Sequence, residues 1–214
     1  MGWDLIRINL AIFSLFLQAH PEQPGAYVKR TVKPGVMGLT KFNSRFLFIL
    51  SAILLAAGTR FIPEPYRFFN FAPMAAMCLF GGACFSNRLT AFLIPFIALL
   101  ASDAIIGFYG WGMLPVYGSY ALIIGLGLLI SKRINPVTVL LGSLGGSVLF
   151  FIITNFAYFY APTIHPHNWA GIVESYTVAL PYFRQTLVSD LVFNIVLFGS
   201  FYLAQLKFPR LSKI

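Results

Sequence analysis

Asp103, Asp190, Arg60 and Arg184 each stand inside, or at the edge of, a long apolar run. Asn70, Asn155 and Asn194 occupy similar settings, and Tyr117 and Tyr120 place hydroxyls in another such run. Ionisable groups within a bilayer are costly, so they are read either as ligand-binding groups or as ion pairs that fix helix packing. Asp103 with Arg60 and Asp190 with Arg184 are the two possible ion pairs. Asp103 and Asp190 used together would instead suit acid–base chemistry on a lipid or peptide. The chain contains no Gly-x-Ser-x-Gly, no His-Glu-x-x-His and no Gly-rich phosphate loop, so hydrolase and nucleotide-hydrolysing readings lose their usual support, and an enzyme is not expected. His165 and His167 form a His-Pro-His without further ligand residues nearby. Cys78 and Cys84 would stand about 240° apart on a helix and cannot pair with each other. Neither a metal site nor a cofactor is expected.

The elements that must carry these residues follow from composition. Of 214 residues, 58% are hydrophobic and 10% charged, against roughly 25% charged in a soluble domain. A mean hydropathy of +0.81 excludes disorder as well as an ordinary soluble fold. The apolar runs predict an all-α, polytopic membrane protein with six transmembrane helices: Phe46 to Ile62, Phe69 to Phe85, Leu89 to Phe108, Leu114 to Ser131, Val137 to Tyr158 and Phe183 to Leu206. Pro63 with Pro65, Ser86 with Asn87, Gly107 with Gly110, Asn135 with Pro136, and Pro162 with Pro166 mark the turns.

Fifteen Lys and Arg against six Asp and Glu give a net charge of +9. With both termini cytoplasmic, twelve of the fifteen basic residues fall on the inner side, and only Arg60, Arg67 and Arg184 fall outside. The charge therefore reports orientation in a cell (inner) membrane, N-in and C-in, and no nucleic-acid partner is expected. The first 36 residues differ from the rest. Leu10 to Leu17 is too short to span, and Met37 opens a short basic lead into the first span, so residues 1–36 are read as an extension upstream of the true start and 37–214 as the membrane domain.

In this topology Arg60, Asn70, Asp103, Tyr117, Tyr120, Asn155, Arg184 and Asp190 lie in the outer half of the membrane, with Asn194 near mid-depth. A proton or ion pathway needs polar groups through the whole thickness, whereas this pattern suits a cup open to the outside in which polar groups and aromatics hold a small molecule. Trp169 to Ala179, ended by Pro181, reads as a short interfacial helix able to act as a lid, with Trp169 and Tyr176 as stacking candidates. Ala52 with Ala56, and Gly142 with Gly146, are small-x-x-x-small pairs where helices approach closely.

Arg60-Phe-Ile-Pro, Asn70-Phe-Ala-Pro-Met-Ala-Ala with Leu79-Phe-Gly-Gly-Ala, Ser102-Asp-x-x-x-Gly, Thr154-Asn155, and Ala179-Leu-Pro-Tyr-Phe-Arg with Ser189-Asp-Leu-Val-Phe together resemble an uncharacterised family of bacterial six-span membrane proteins, from about residue 40 to the C-terminus. The loop Ala161-Pro-Thr-Ile-His-Pro-His-Asn-Trp-Ala-Gly departs from that family's usual Tyr-Pro-x-Thr and Gly-Leu. The architecture in turn resembles the substrate-binding S components of energy-coupling-factor vitamin transporters. That resemblance implies an outward-facing vitamin site and a coupling-protein docking face on the first helix, which Ala52 and Ala56 match by position; the His-rich N-terminus of the metal-transporting members is missing. The expected function is capture of a small vitamin-like or aromatic molecule for uptake, powered by a partner. A scaffold of an envelope complex and a membrane enzyme using Asp103 and Asp190 are the alternatives.

Overall fold

The computed structural model describes residues 43–62, 73–108, 110–159 and 165–212. Residues 1–36 and Asn70 lie outside the described residues. Six α-helices and no strand occur among the described residues: α1 (Ser44–Gly58), α2 (Met74–Cys84), α3 (Arg88–Ile106), α4 (Met113–Ile130), α5 (Pro136–Phe159) and α6 (Trp169–Lys207). All but α2 belong to segments long and apolar enough to cross a membrane, α1 together with the 3-10 turn that extends it to Phe61.

Asparagine starts most of these helices. The side chains of Asn43, Asn87 and Asn168 accept from backbone N–H groups in the first turns of α1, α3 and α6, at 2.8, 2.7 and 3.0 Å. Asn135 and Thr138 exchange reciprocal bonds of 2.9 and 3.0 Å around Pro136, the first residue of α5. Each satisfies donors that the helix itself cannot. Gly107 and Gly110, at φ of 117° and 81°, make the turn from α3 to α4 in backbone conformations that residues with a Cβ rarely adopt.

Two elements differ from the expected spans. The second span is an 11-residue helix, Met74–Cys84, buried at every position. It is about 16 Å long, half the roughly 30 Å of a bilayer core. Its apolar run reads as a membrane span because hydropathy does not distinguish a helix facing lipid from one enclosed by five others, and α1, α3, α4, α5 and α6 all pack on it. The second difference concerns the expected lid. Pro181 does not end a helix: α6 runs unbroken for 39 residues from Trp169 to Lys207, with Pro181 inside it and exposed. Proline removes one intrahelical bond. Here α6 is held on both sides of it: Ser175 and Tyr176 bond to α5 before Pro181, and Asp190 and Asn194 bond to α5 after it. At about 58 Å, α6 is nearly twice the bilayer core.

The α2 and α4 helices meet backbone to backbone. A Cβ at Gly127 would meet the Leu79 carbonyl oxygen at 2.5 Å and Gly82 Cα at 2.9 Å, and one at Gly82 would overlap the Ile124 carbonyl. Gly142 faces the side chains of Leu79 and Ile130, and Gly146 that of Ile123. Below this contact Phe80 packs edge-on to Phe198 and Phe201 at 5.1 and 5.9 Å, and Phe48 packs on Phe201 at 5.5 Å. Arg45 closes that end of the bundle. Its guanidinium donates to the Cys84 carbonyl at 2.9 Å and the Leu211 carbonyl at 3.2 Å, above the Phe201 ring. The start of α1, the end of α2 and the C-terminal 3-10 turn Pro209–Leu211 therefore meet at one end of the bundle, together with Arg88, Arg133 and Lys207; we call it the basic end.

Gly127→Ala is expected to force α2 and α4 apart and lower the melting temperature in detergent by about 5 °C, from an overpacking cost of roughly 1–3 kcal/mol. Gly125→Ala, whose methyl group would meet nothing within 4 Å, is expected to leave it unchanged. Circular dichroism of the two purified variants checks both.

Candidate functional site

The buried polar side chains gather into two centres. The first joins α1, α3 and α4 near the end opposite the basic one. Asp103 stands about 22 Å along α3 and is 3% exposed. Arg60, in the 3-10 turn that ends α1, reaches it through Nη2 at 2.5 Å and donates from Nη1 to Ser102 Oγ, also at 2.5 Å. Tyr117 of α4 donates its hydroxyl to the other Asp103 oxygen at 2.5 Å, and Ser102 donates to the Leu99 carbonyl at 2.7 Å. Both carboxylate oxygens of Asp103 are thus engaged by strong, charge-assisted donors. The expected Asp103–Arg60 ion pair is present.

The second centre joins α5 and α6 halfway along α5. Ser147 Oγ donates to Asp190 Oδ2 at 2.7 Å, with the Ser143 carbonyl as an alternative acceptor at 3.0 Å. Asn194 Nδ2 donates to Ser143 Oγ at 2.9 Å. Asp190 and Asn194 are 1% and 2% exposed. The pairs match because Ser143 and Ser147 on α5, and Asp190 and Asn194 on α6, are each spaced by one helical turn. Ala75, in the first turn of α2, lines the same gap as Asp190. Among buried side-chain atoms, Asp190 Oδ1 and Asn194 Oδ1 have no hydrogen-bond partner. Asp190, Asn194 and Ser143 line a narrow gap with Ala75, Leu79, Ile123, Gly142 and Gly146.

The remaining expected residues separate from these centres. Arg184 is exposed on α6 and forms no ion pair with Asp190, six residues away and so on a different face of the helix. Asn155 donates from Nδ2 to the Phe151 carbonyl of its own helix at 2.7 Å, and its backbone oxygen accepts from Ser175 at 2.9 Å. Tyr176 donates to the Ile152 carbonyl at 2.8 Å, and its ring packs on Phe151, which also meets Phe183 at 4.5 Å. Tyr120 packs on Phe150 at 5.1 Å. Trp169 is 77% exposed at the start of α6. Ala56 is buried and Ala52 half-buried within the bundle; the uncovered stripe of α1 is Leu47, Ser51, Leu54, Leu55 and Gly58. His165 Nδ1 lies 3.6 Å from Glu174, and Cys78 and Cys84 are buried free thiols. Asp103 and Asp190, joined in the enzyme reading, share no hydrogen-bond partner.

Ser143, Ser147 and Arg45 are missing from the residues singled out by sequence, and Ser102 entered only through the family resemblance. The serines carried a signal: Ser143-x-x-x-Ser147 repeats the spacing of Asp190-x-x-x-Asn194 and adjoins the Gly142 and Gly146 pair.

Helices of this length and apolarity, packed around a buried centre, define a polytopic helical membrane protein. Residues 40–211 match the model described as Family of unknown function (DUF6580), and the chain belongs to that family. No curated protein and no solved structure matches it.

Removing either charge of the first centre leaves the other buried and unpaired, so Asp103→Leu and Arg60→Leu are each expected to cost roughly 3–5 kcal/mol. The double variant is expected to recover at least about 2 kcal/mol of their sum. A double-mutant cycle on unfolding in mixed detergent measures this coupling.

Proposed function

We propose that the chain is an integral membrane protein that binds a small, vitamin-like or aromatic molecule from the outer face of a cell membrane, for uptake powered by a partner protein. The observation that carries this reading is the unequal division of the bundle. Its basic half is packed by Phe48, Phe80, Phe198 and Phe201 and capped by Arg45, while its two buried acids stand at mid-depth and beyond. The positive-inside rule makes the basic end cytoplasmic, which leaves the polar side facing outward. Approach of a solute from that side would have to widen the narrow gap at Asp190 and Asn194, whose free acceptors would then orient the solute's donor groups. Tyr120, Trp169 and Tyr176 offer rings for contact area.

The resemblance read from the sequence, to energy-coupling-factor S components, would supply the energetic part of the proposal. A coupling protein would dock on the uncovered stripe of α1, Leu47 to Gly58, because Ala56 is spent inside the bundle. A second reading, a structural protein of an envelope assembly, is favoured by one observation: Arg60, Asp103, Tyr117 and Ser102 satisfy one another and act as a strut.

Native mass spectrometry of the protein purified in mild detergent separates the two. A bound small molecule that is lost on Asp190→Ala, with the helical spectrum retained, is the expected result. No small molecule, together with a stoichiometric envelope protein in the same preparation, would instead establish the structural reading.

A further inference from the structure

We infer that Asp190 and Asn194 form a binding site for a monovalent alkali cation, held between α5 and α6. The site is argued from the unmatched atoms of the second centre and does not depend on the organic solute proposed above.

Asp190 Oδ1 and Asn194 Oδ1 are two buried acceptors on successive turns of α6, and no donor among the described residues meets either one. Acceptors held together without a donor require a cation or a proton between them. The surroundings exclude the other means of compensation. No Lys, Arg or His among the described residues pairs with Asp190, although an uncompensated carboxylate at such depth is very costly. The gap that Asp190, Asn194 and Ser143 line is too narrow for a water molecule, so solvent cannot serve the free lone pairs, whereas a bare ion smaller than water can take its ligands directly.

The ligand set then defines the ion. Every candidate donor atom is an oxygen: Asp190 Oδ1, Asn194 Oδ1 and the adjacent Ser143 hydroxyl. Oxygen donors select hard ions over soft ones. A single carboxylate balances one positive charge, while a divalent ion would leave a net charge buried in the bundle. Ser147 O–H donates to the other carboxylate oxygen, Asp190 Oδ2, and leaves Oδ1 free for the ion. The neighbouring titratable side chain is Cys78 on α2.

The test uses the full chain in detergent, with sodium chloride exchanged for choline chloride at constant ionic strength and the melting temperature read at pH 6, 7 and 8. Sodium is expected to raise it by about 5 °C at saturation. Asp190→Asn keeps the Ser147 hydrogen bond and is expected to melt as a folded protein with no sodium response. Asn194→Ala, which removes the second acceptor, is expected to weaken the apparent sodium affinity at least tenfold, and it serves as the test should Asp190→Asn not fold. A melting temperature that follows pH and ignores sodium would overturn the site and show that Asp190 carries a proton instead. A response to neither, or a sodium response unchanged in both variants, would also overturn it. Absence of any organic ligand from the unmodified protein in mass spectrometry, with the sodium response intact, would count against the uptake reading alone.

Discussion

The backbone contact between Gly82 of α2 and Gly127 of α4 sets the height of the short central helix, and most of the remaining structure depends on that height. In a bilayer no hydrophobic force draws one apolar helix to another, so close van der Waals approach and interhelical hydrogen bonds must do so. Two glycines let the α2 and α4 backbones touch, Leu79 then fills the notch at Gly142, and Ile123 lies against Gly146. A helix of 11 residues fixed in this way has both ends inside the protein. Each end exposes backbone groups that water cannot reach. Arg45 answers at one end, taking the Cys84 carbonyl, and Asp190 shares a gap with Ala75 at the other.

The two polar centres behave differently because their atoms are differently matched. Around Asp103 every strong acceptor has its donor, and the geometry ties three helices together. Such a pair is weak evidence for net stability, since burying both charges costs about as much as their attraction returns, but it is strong against local rearrangement because breaking either half strands the other. Around Asp190 the same bookkeeping leaves two acceptors over. A fold that could have placed a hydrocarbon there instead retains a carboxylate, and no Lys, Arg or His among the described residues pairs with it.

Much of this was legible in the sequence, for identifiable reasons. Apolar runs separated by Asn, Pro and Gly located α1, α3, α4 and α5 closely, because helix starts here use Asn caps that also read as breaks. The Arg60–Asp103 pair was legible from depth alone. What misled was equally physical. Full burial and lipid exposure have the same hydropathy, so α2 passed for a span. Pro181 reads as a stop unless one knows that Ser175, Tyr176, Asp190 and Asn194 hold both arms of α6 against α5. Arg45 disappeared into a tally of cytoplasmic charge, since charge counts do not reveal that a guanidinium is 9% exposed and caps another helix. Arg184 shows the converse: a charge within an apolar stretch that lies on an exposed face of a helix longer than the membrane is thick.

The unequal capping of α2 also bears on which side of the protein can open. At the basic end, Arg45 bonds at once to the last carbonyl of α2 and to the C-terminal turn, with the Phe201 ring beneath it, so separating these elements would strand a cation and two carbonyl groups in an apolar setting. At the opposite end of α2, the Asp190 carboxylate keeps a free lone pair beside a gap, and a ligand there would add a bond without first breaking one. Rearrangement is therefore cheaper at mid-depth and beyond than at the basic end, and this difference follows from the two end groups of one short helix. An opening at the end opposite the basic one leaves the most expensive interactions of the bundle in place.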